Sequence, residues 1–102
     1  KKITIQINNL SDYNSLLTNH PYLCETLNID CFDETKRQFL NKGTLQDLKV
    51  NDILVWESWF SVVEHGIQKD VLESNPRLEL LYCVSETNYK GRTIEYSLYI
   101  VK

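Results

Sequence analysis

The chain has 102 residues, 42% of them hydrophobic and 25% charged, with 11 basic and 14 acidic side chains and a formal net charge of −3. This balance suits one domain that buries a core without metal or disulfide staples, and it excludes disorder, which needs fewer apolar residues and more net charge. The charge is uneven: residues 1–51 hold six acids and six bases, residues 52–102 hold eight acids and five bases, and no base falls between Lys49 and Lys69. The basic footprint of a nucleic-acid binder is therefore missing, and an acidic surface suited to a basic protein is expected.

Residues 2–7 alternate Ile3, Ile5 and Ile7 with Thr4 and Gln6, which predicts a half-buried strand. Ser11 is placed to cap a short helix that lines Leu10, Tyr13, Leu16 and Leu17 along one side. Asn19-His20-Pro21 breaks that helix, and Pro21 suits the first turn of another ending near Leu27. Asp33 caps a third, with Asp33 and Arg37 one turn apart, Phe39 and Leu40 turned inward, and Gly43 at its end. Thr44, with Asp47 three residues on, resembles a capping box for one more helical turn.

Residues 52–76 admit two readings. Ile53-Leu54-Val55-Trp56 has the composition of a strand, yet from Val55 onward apolar residues at 55, 56, 59, 60, 62, 63 and 67 occupy one half of a helical cylinder. The periodicity favours a helix over 55–69; the alternative is a strand at 53–56 followed by a turn at Glu57-Ser58. Asn75-Pro76 then resets the chain. Residues 77–101 predict a β-hairpin in which Glu86 faces Arg92, Val84 faces Ile94, Tyr82 faces Tyr96, Leu80 faces Leu98 and Leu78 faces Ile100.

The expected architecture is a single α+β domain over residues 1–102. In it a small antiparallel sheet, made of the N-terminal strand and the C-terminal hairpin, is packed on one face by several short helices and one longer helix. Ile3, Ile5, Ile7, Leu80, Tyr82, Val84, Ile94, Tyr96 and Leu98 form the inward face, with Trp56, Trp59, Phe60 and Val63 against it.

No catalytic signature is present. There is no phosphate-binding glycine loop, GxSxG or HExxH. Cys24, Cys31 and Cys83 are an odd count without a CxxC pair and read as free thiols of a reducing compartment, so the cytoplasm is the expected location. His20 with Cys24 and His65 with Cys83 are weak candidates for a thiol–imidazole dyad, and the Cys/His spacing does not suit zinc. No cofactor or metal is expected, and no stretch approaches the roughly 20 apolar residues of a membrane span.

The surfaces weighed for binding are two. One is the polar half of the predicted helix, Glu57, Ser58, Ser61, Glu64, His65 and Gln68, flanked by Trp56 and Trp59. The other is the outer hairpin face, where Leu81, Cys83, Tyr99 and Val101 are too apolar to be neutral and meet a partner, a second copy of the chain in a homodimer, or a covering helix. Tyr89 stands at the hairpin tip. The expected partner-binding set is Glu57, Ser61, Glu64, His65, Gln68, Leu81, Tyr89 and Tyr99. The expected function is a non-enzymatic protein-binding module: a small acidic intracellular inhibitor, immunity protein or adaptor, against a partner with a basic surface such as an enzyme acting on nucleic acid. The alternatives are a single-stranded nucleic-acid-binding module stacking bases on Trp56, Trp59, Tyr89 and Tyr99, and a small thiol-dependent enzyme.

Overall fold

The computed structural model describes residues 2–10, 12–20, 23–87 and 90–102. The elements are α1 (Lys2–Asn8), β1 (Leu16–Thr18), α2 (Leu23–Thr26), β2 (Arg37–Gln38), α3 (Lys42–Leu45), β3 (Ile53–Glu57), one π-type turn (Phe60–Glu64), α4 (Lys69–Glu73), β4 (Leu78–Thr87) and β5 (Thr93–Val101). The strands form one sheet in the order β2-β1-β3-β5-β4. β1 runs parallel to β2 and β3, and β5 runs antiparallel to β3 and β4.

The molecule is α+β, but the sheet is mixed and five-stranded rather than small and antiparallel. It also carries apolar residues on both faces, not one. Ile53 and Val55 join Ile3, Ile7, Leu16, Leu23, Tyr96 and Leu98 on one side. Leu54 and Trp56 join Leu17, Leu40, Leu48, Ile67, Leu72, Tyr99 and Val101 on the other. That explains the continuous run Ile53-Leu54-Val55-Trp56: a central strand buried on both faces needs no polar alternation. The strand reading of residues 53–56 therefore holds, and the helix over 55–69 does not form.

Buried polar side chains fix where the strands start. The Asp52 carboxylate accepts from Asn14 Nδ2 at 2.8 Å, Ser15 Oγ at 3.0 Å and Lys49 N at 3.0 Å, tying the approach to β1 to the start of β3. Asn41 caps α3 by accepting from Thr44 N, while the Asn41 amide donates to Thr44 Oγ1, so the capping box is Asn41/Thr44 and not Thr44/Asp47. Asp33 caps no helix. Its Oδ1 accepts from Thr35 N at 3.0 Å and Thr35 Oγ1 at 2.6 Å in a local turn that leads into β2. The helix expected over residues 10–17 is replaced by loop and β1; its capping residue Ser11, and Pro21 before α2, lie outside the described residues.

The N-terminal strand is a helix instead. Ile3 and Ile7, four apart, are fully buried, whereas Ile5 is 59% exposed. A strand would have put all three on one face; a helix separates the middle one. The hairpin forms, but its register is shifted. Thr87 faces Thr93, Glu86 faces Ile94, Val84 faces Tyr96 and Tyr82 faces Leu98, so Tyr82 and Tyr96 are not a facing pair. Arg92 is drawn away from Glu86 by the Trp59 ring, over which its guanidinium carbon sits at 3.8 Å. Between Tyr82 and Thr87 the shift moves partners by two residues and so keeps those side chains on their predicted face, whereas Leu80, expected inward, is 51% exposed. A bulge between Leu80 and Tyr82 then changes parity, and Leu80 faces Tyr99 and Leu78 faces Val101.

The helical assignment at the amino end is testable by urea denaturation. Ile3→Ala removes a fully buried side chain and should cost about 2–4 kcal/mol, while Ile5→Ala should change stability by less than about 0.5 kcal/mol. Comparable losses for both would restore the strand.

Candidate functional site

β3 ends at a buried carboxylate. Glu57 is fully buried, its Oε2 accepts from Trp59 N at 2.9 Å and Phe60 N at 2.8 Å, and its Oε1 accepts from Ser61 N at 2.7 Å. One side chain thereby satisfies three amides that a chain leaving a strand would otherwise leave unpaired. The π-type turn Phe60–Glu64 follows and closes at Gly66, whose φ of 67° is open to glycine at little cost. Trp56 secures the exit, its indole Nε1 donating to Ile67 O at 2.8 Å.

The same turn braces the neighbouring edge of the sheet. Buried Asn19, just past β1, accepts from Leu40 N at 2.9 Å, donates to Leu40 O at 2.8 Å, and reaches Ser61 Oγ at 3.4 Å. Leu40 is drawn into the core by this clamp, and Phe39 is turned out, 48% exposed. The inward Phe39 expected from a third helix is thus corrected by an edge strand and a side-chain clamp. The Phe39 ring stacks on the His65 imidazole at 5.4 Å and 27°, and it carries the Arg37 guanidinium at 4.1 Å. Arg37 is held in place because its Nη2 donates to Thr18 O at 3.0 Å.

These contacts form one wall of an open groove of about 510 Å³. Phe32, Phe39 and Cys31 are its apolar lining residues, Arg37 and Thr44 add polar groups, and Glu34 and Asp47 are acidic. Phe32 is 93% exposed. An aromatic side chain left almost wholly in water at the mouth of a groove is the kind of anchor that interfaces cover. The groove also opens beside β2, a two-residue strand at the edge of the sheet.

The expected binding residues are dispersed by this fold. Glu57 and Ser61 are fully buried and serve the turn, and Tyr99 is buried at 2% exposure beneath α4. Glu64 and Gln68 are exposed, and His65 is half-buried against Phe39. The continuous polar helix face therefore does not exist. Leu81 is 40% exposed at the β4 bulge, and Tyr89 lies outside the described residues. Of the residues expected to stack bases, Trp56 is 5% exposed and Trp59 is covered by Arg92. The groove residues themselves carried one sequence signal: Phe32 interrupts the acidic run Asp30, Asp33, Glu34 without any helical or strand period.

Two further clusters shape the electrostatics. His20 is buried with its ring 5.4 Å from Phe60 and 5.9 Å from Tyr96. Burial, with the negative fields of Glu86 and Glu57, pushes the Tyr96 hydroxyl up to about 12. Burial also raises the Tyr13 and Tyr99 hydroxyls. On the opposite side Lys69 pairs with Glu95 at 2.5 Å, which raises the Lys69 ammonium. Ser97 Oγ donates to the exposed Cys83 Sγ at 3.5 Å. Among the described residues no three His, Cys, Asp or Glu side chains gather as metal ligands, and no helix is long and apolar enough to cross a membrane. No family model, characterised protein or solved structure matches the chain.

The tyrosine environment gives a pH dependence of definite sign. Tyr96 is neutral in the folded state up to about 12 but ionises near 10.0 when unfolded. Its contribution is thus fully present below pH 10 and lost as pH rises towards 12. Denaturant midpoints measured across this window should fall for the parent and fall less steeply for Tyr96→Phe. Identical slopes would place Tyr96 in water.

Proposed function

We propose that the chain is a non-enzymatic protein-binding module, a small acidic inhibitor, immunity protein or adaptor, and that the groove beside β2 receives its partner. The reading rests above all on Phe32, which is 93% exposed at the groove mouth. The occupant that fits is an extended segment of another protein carrying Lys or Arg with one apolar side chain. The apolar group fills the space between Phe32 and Phe39, and the basic groups meet Glu34 and Asp47. Arg37, which donates to Thr18 O and lies over the Phe39 ring, keeps its positive charge in the groove and directs the basic groups of the partner towards Glu34 and Asp47. Asp33 adds negative field nearby: hydrogen bonds from Thr35 hold its carboxyl below the usual carboxylate range. A basic nucleic-acid-processing enzyme is the class of target that such a surface suits.

The test uses isotope-labelled protein and three short synthetic peptides: one rich in Lys and Arg with a central Phe, the same peptide with Ser for that Phe, and an acidic counterpart. The first should shift the amide signals of Cys31, Phe32, Phe39 and Thr44, weaken as salt rises, and bind at least about tenfold less tightly to Phe32→Ala, since burying a Phe is worth roughly 1.5–3 kcal/mol. Phe32 is too exposed for its loss to harm the fold. Shifts located elsewhere, equal binding of the acidic peptide, or tighter binding of a single-stranded oligonucleotide at low salt would each contradict the reading.

A further inference from the structure

We infer that the free edge of β4 pairs with the β4 edge of a second copy of the chain, joining two five-stranded sheets about a two-fold axis at Val84. β4 stands at the end of the sheet order β2-β1-β3-β5-β4, and at ten residues it is the longest strand. Its outward hydrogen-bonding groups follow from the ladder on its other side. On β5, Val101 N donates to Asp52 O at 2.9 Å, Val101 O accepts from Asn51 N at 2.9 Å, and Glu95 O accepts from Ser58 N at 3.0 Å. Odd-numbered β5 residues therefore turn their backbone groups to β3, and even-numbered ones turn theirs to β4. Leu98, Tyr96 and Ile94 face Tyr82, Val84 and Glu86 in the register. Cys83 and Ser85 alternate with these and point their N–H and C=O groups away from β5. Among the described residues, no backbone hydrogen bond outside the strand ladders involves either of them.

The strand is complementary to itself. It holds none of the Lys, Pro or Gly residues that keep edge strands apart, and its charges are Glu79 and Glu86. An antiparallel register centred on Val84 sets Val84 against its own copy, Cys83 against Ser85 of the second copy, and Tyr82 against Glu86 of the second copy. Outward-pointing residues then meet outward-pointing residues, each Cys83/Ser85 pair exchanges both backbone bonds, and no two carboxylates face each other. The two β-branched Val84 side chains fall at the closer, non-hydrogen-bonded position. The bulge between Leu80 and Tyr82 confines regular pairing to residues 81–87, where Leu81, 40% exposed, comes against Thr87 of the second copy. Ile3 and Ile7 of α1 already cover the Tyr82 and Val84 side of β4, and Lys2 N donates to Glu86 Oε1 at 3.2 Å, so the open part of the strand is its edge. β2 and β4 are opposite edges, so the groove stays open in both copies and the pairing is independent of what the groove binds.

The experiment is sedimentation of the full chain from micromolar to millimolar concentration, with amide exchange read by NMR over the same range. The mass should rise from one chain to two. The Cys83 and Ser85 amides should exchange at least about tenfold more slowly in the pair, while the Val84 amide, held by β5, stays protected throughout. Ser85→Pro removes an outward N–H without touching the β5 ladder and should weaken pairing at least about tenfold, with Val84 still protected as the sign of an intact fold. Cys83→Lys, at an exposed position, places a charge on the edge and should weaken pairing in the same direction. A chain that stays single at every concentration overturns the proposal. So does a pair in which the Cys83 and Ser85 amides exchange freely, or one that both variants leave intact.

Discussion

The arrangement depends on one buried carboxylate. Glu57 takes up three backbone amides at the end of the central strand. A carboxylate removed from water is expensive unless hydrogen bonds replace its hydration. Here the replacement comes from the turn that the carboxylate creates, so the turn and the burial sustain each other. Without that anchor, residues 55–69 have the apolar period of a helix, and the local pattern competes with the observed strand and turn.

From Glu57 the influence passes outward through contacts, each of which has a chemical reason. Ser61, fixed by its amide on Glu57, accepts on its hydroxyl oxygen from Asn19 Nδ2. Asn19 holds both backbone groups of Leu40 and thereby pulls one residue into the core while its neighbour, Phe39, is turned to the surface. His65, at the far end of the same turn, lies against the Phe39 ring. The groove wall is thus set by a polar chain that begins at the centre of the sheet, which is how a domain of this size can present an aromatic side chain just past a strand of only two residues.

Much of this order can be read in the residues, and what cannot be read has physical causes. The C-terminal hairpin follows from alternation, because a shift of two residues leaves the faces of residues 82–87 intact; the bulge that turns Leu78 and Leu80 over has no sequence signal, and the partners themselves depend on Arg92 preferring Trp59 to Glu86, a contact between distant segments. Ile3, Ile5 and Ile7 satisfy a strand and a helix equally, since both bury Ile3 and Ile7; only the exposure of Ile5 separates them, and that is decided by what packs above. Glu57 looks like a surface residue because its partners are backbone amides, which carry no sequence signature, and Ser61 because its side-chain partner, Asn19, is distant in sequence. Phe32, by contrast, was visible as an apolar ring in an acidic, aperiodic run. Its meaning was not, because Phe39 and Asp47 join it only through the sheet.

The most direct measurement of this account is amide hydrogen exchange, resolved by NMR, at Trp59, Phe60 and Ser61 in the parent chain and in Glu57→Gln. The account predicts strong protection at these three amides in the parent. In the variant that protection is lost first there, ahead of Leu54 and Val55 in the same strand. Exchange at the rate of an unstructured peptide in the parent, or protection unaltered by Glu57→Gln, would contradict it.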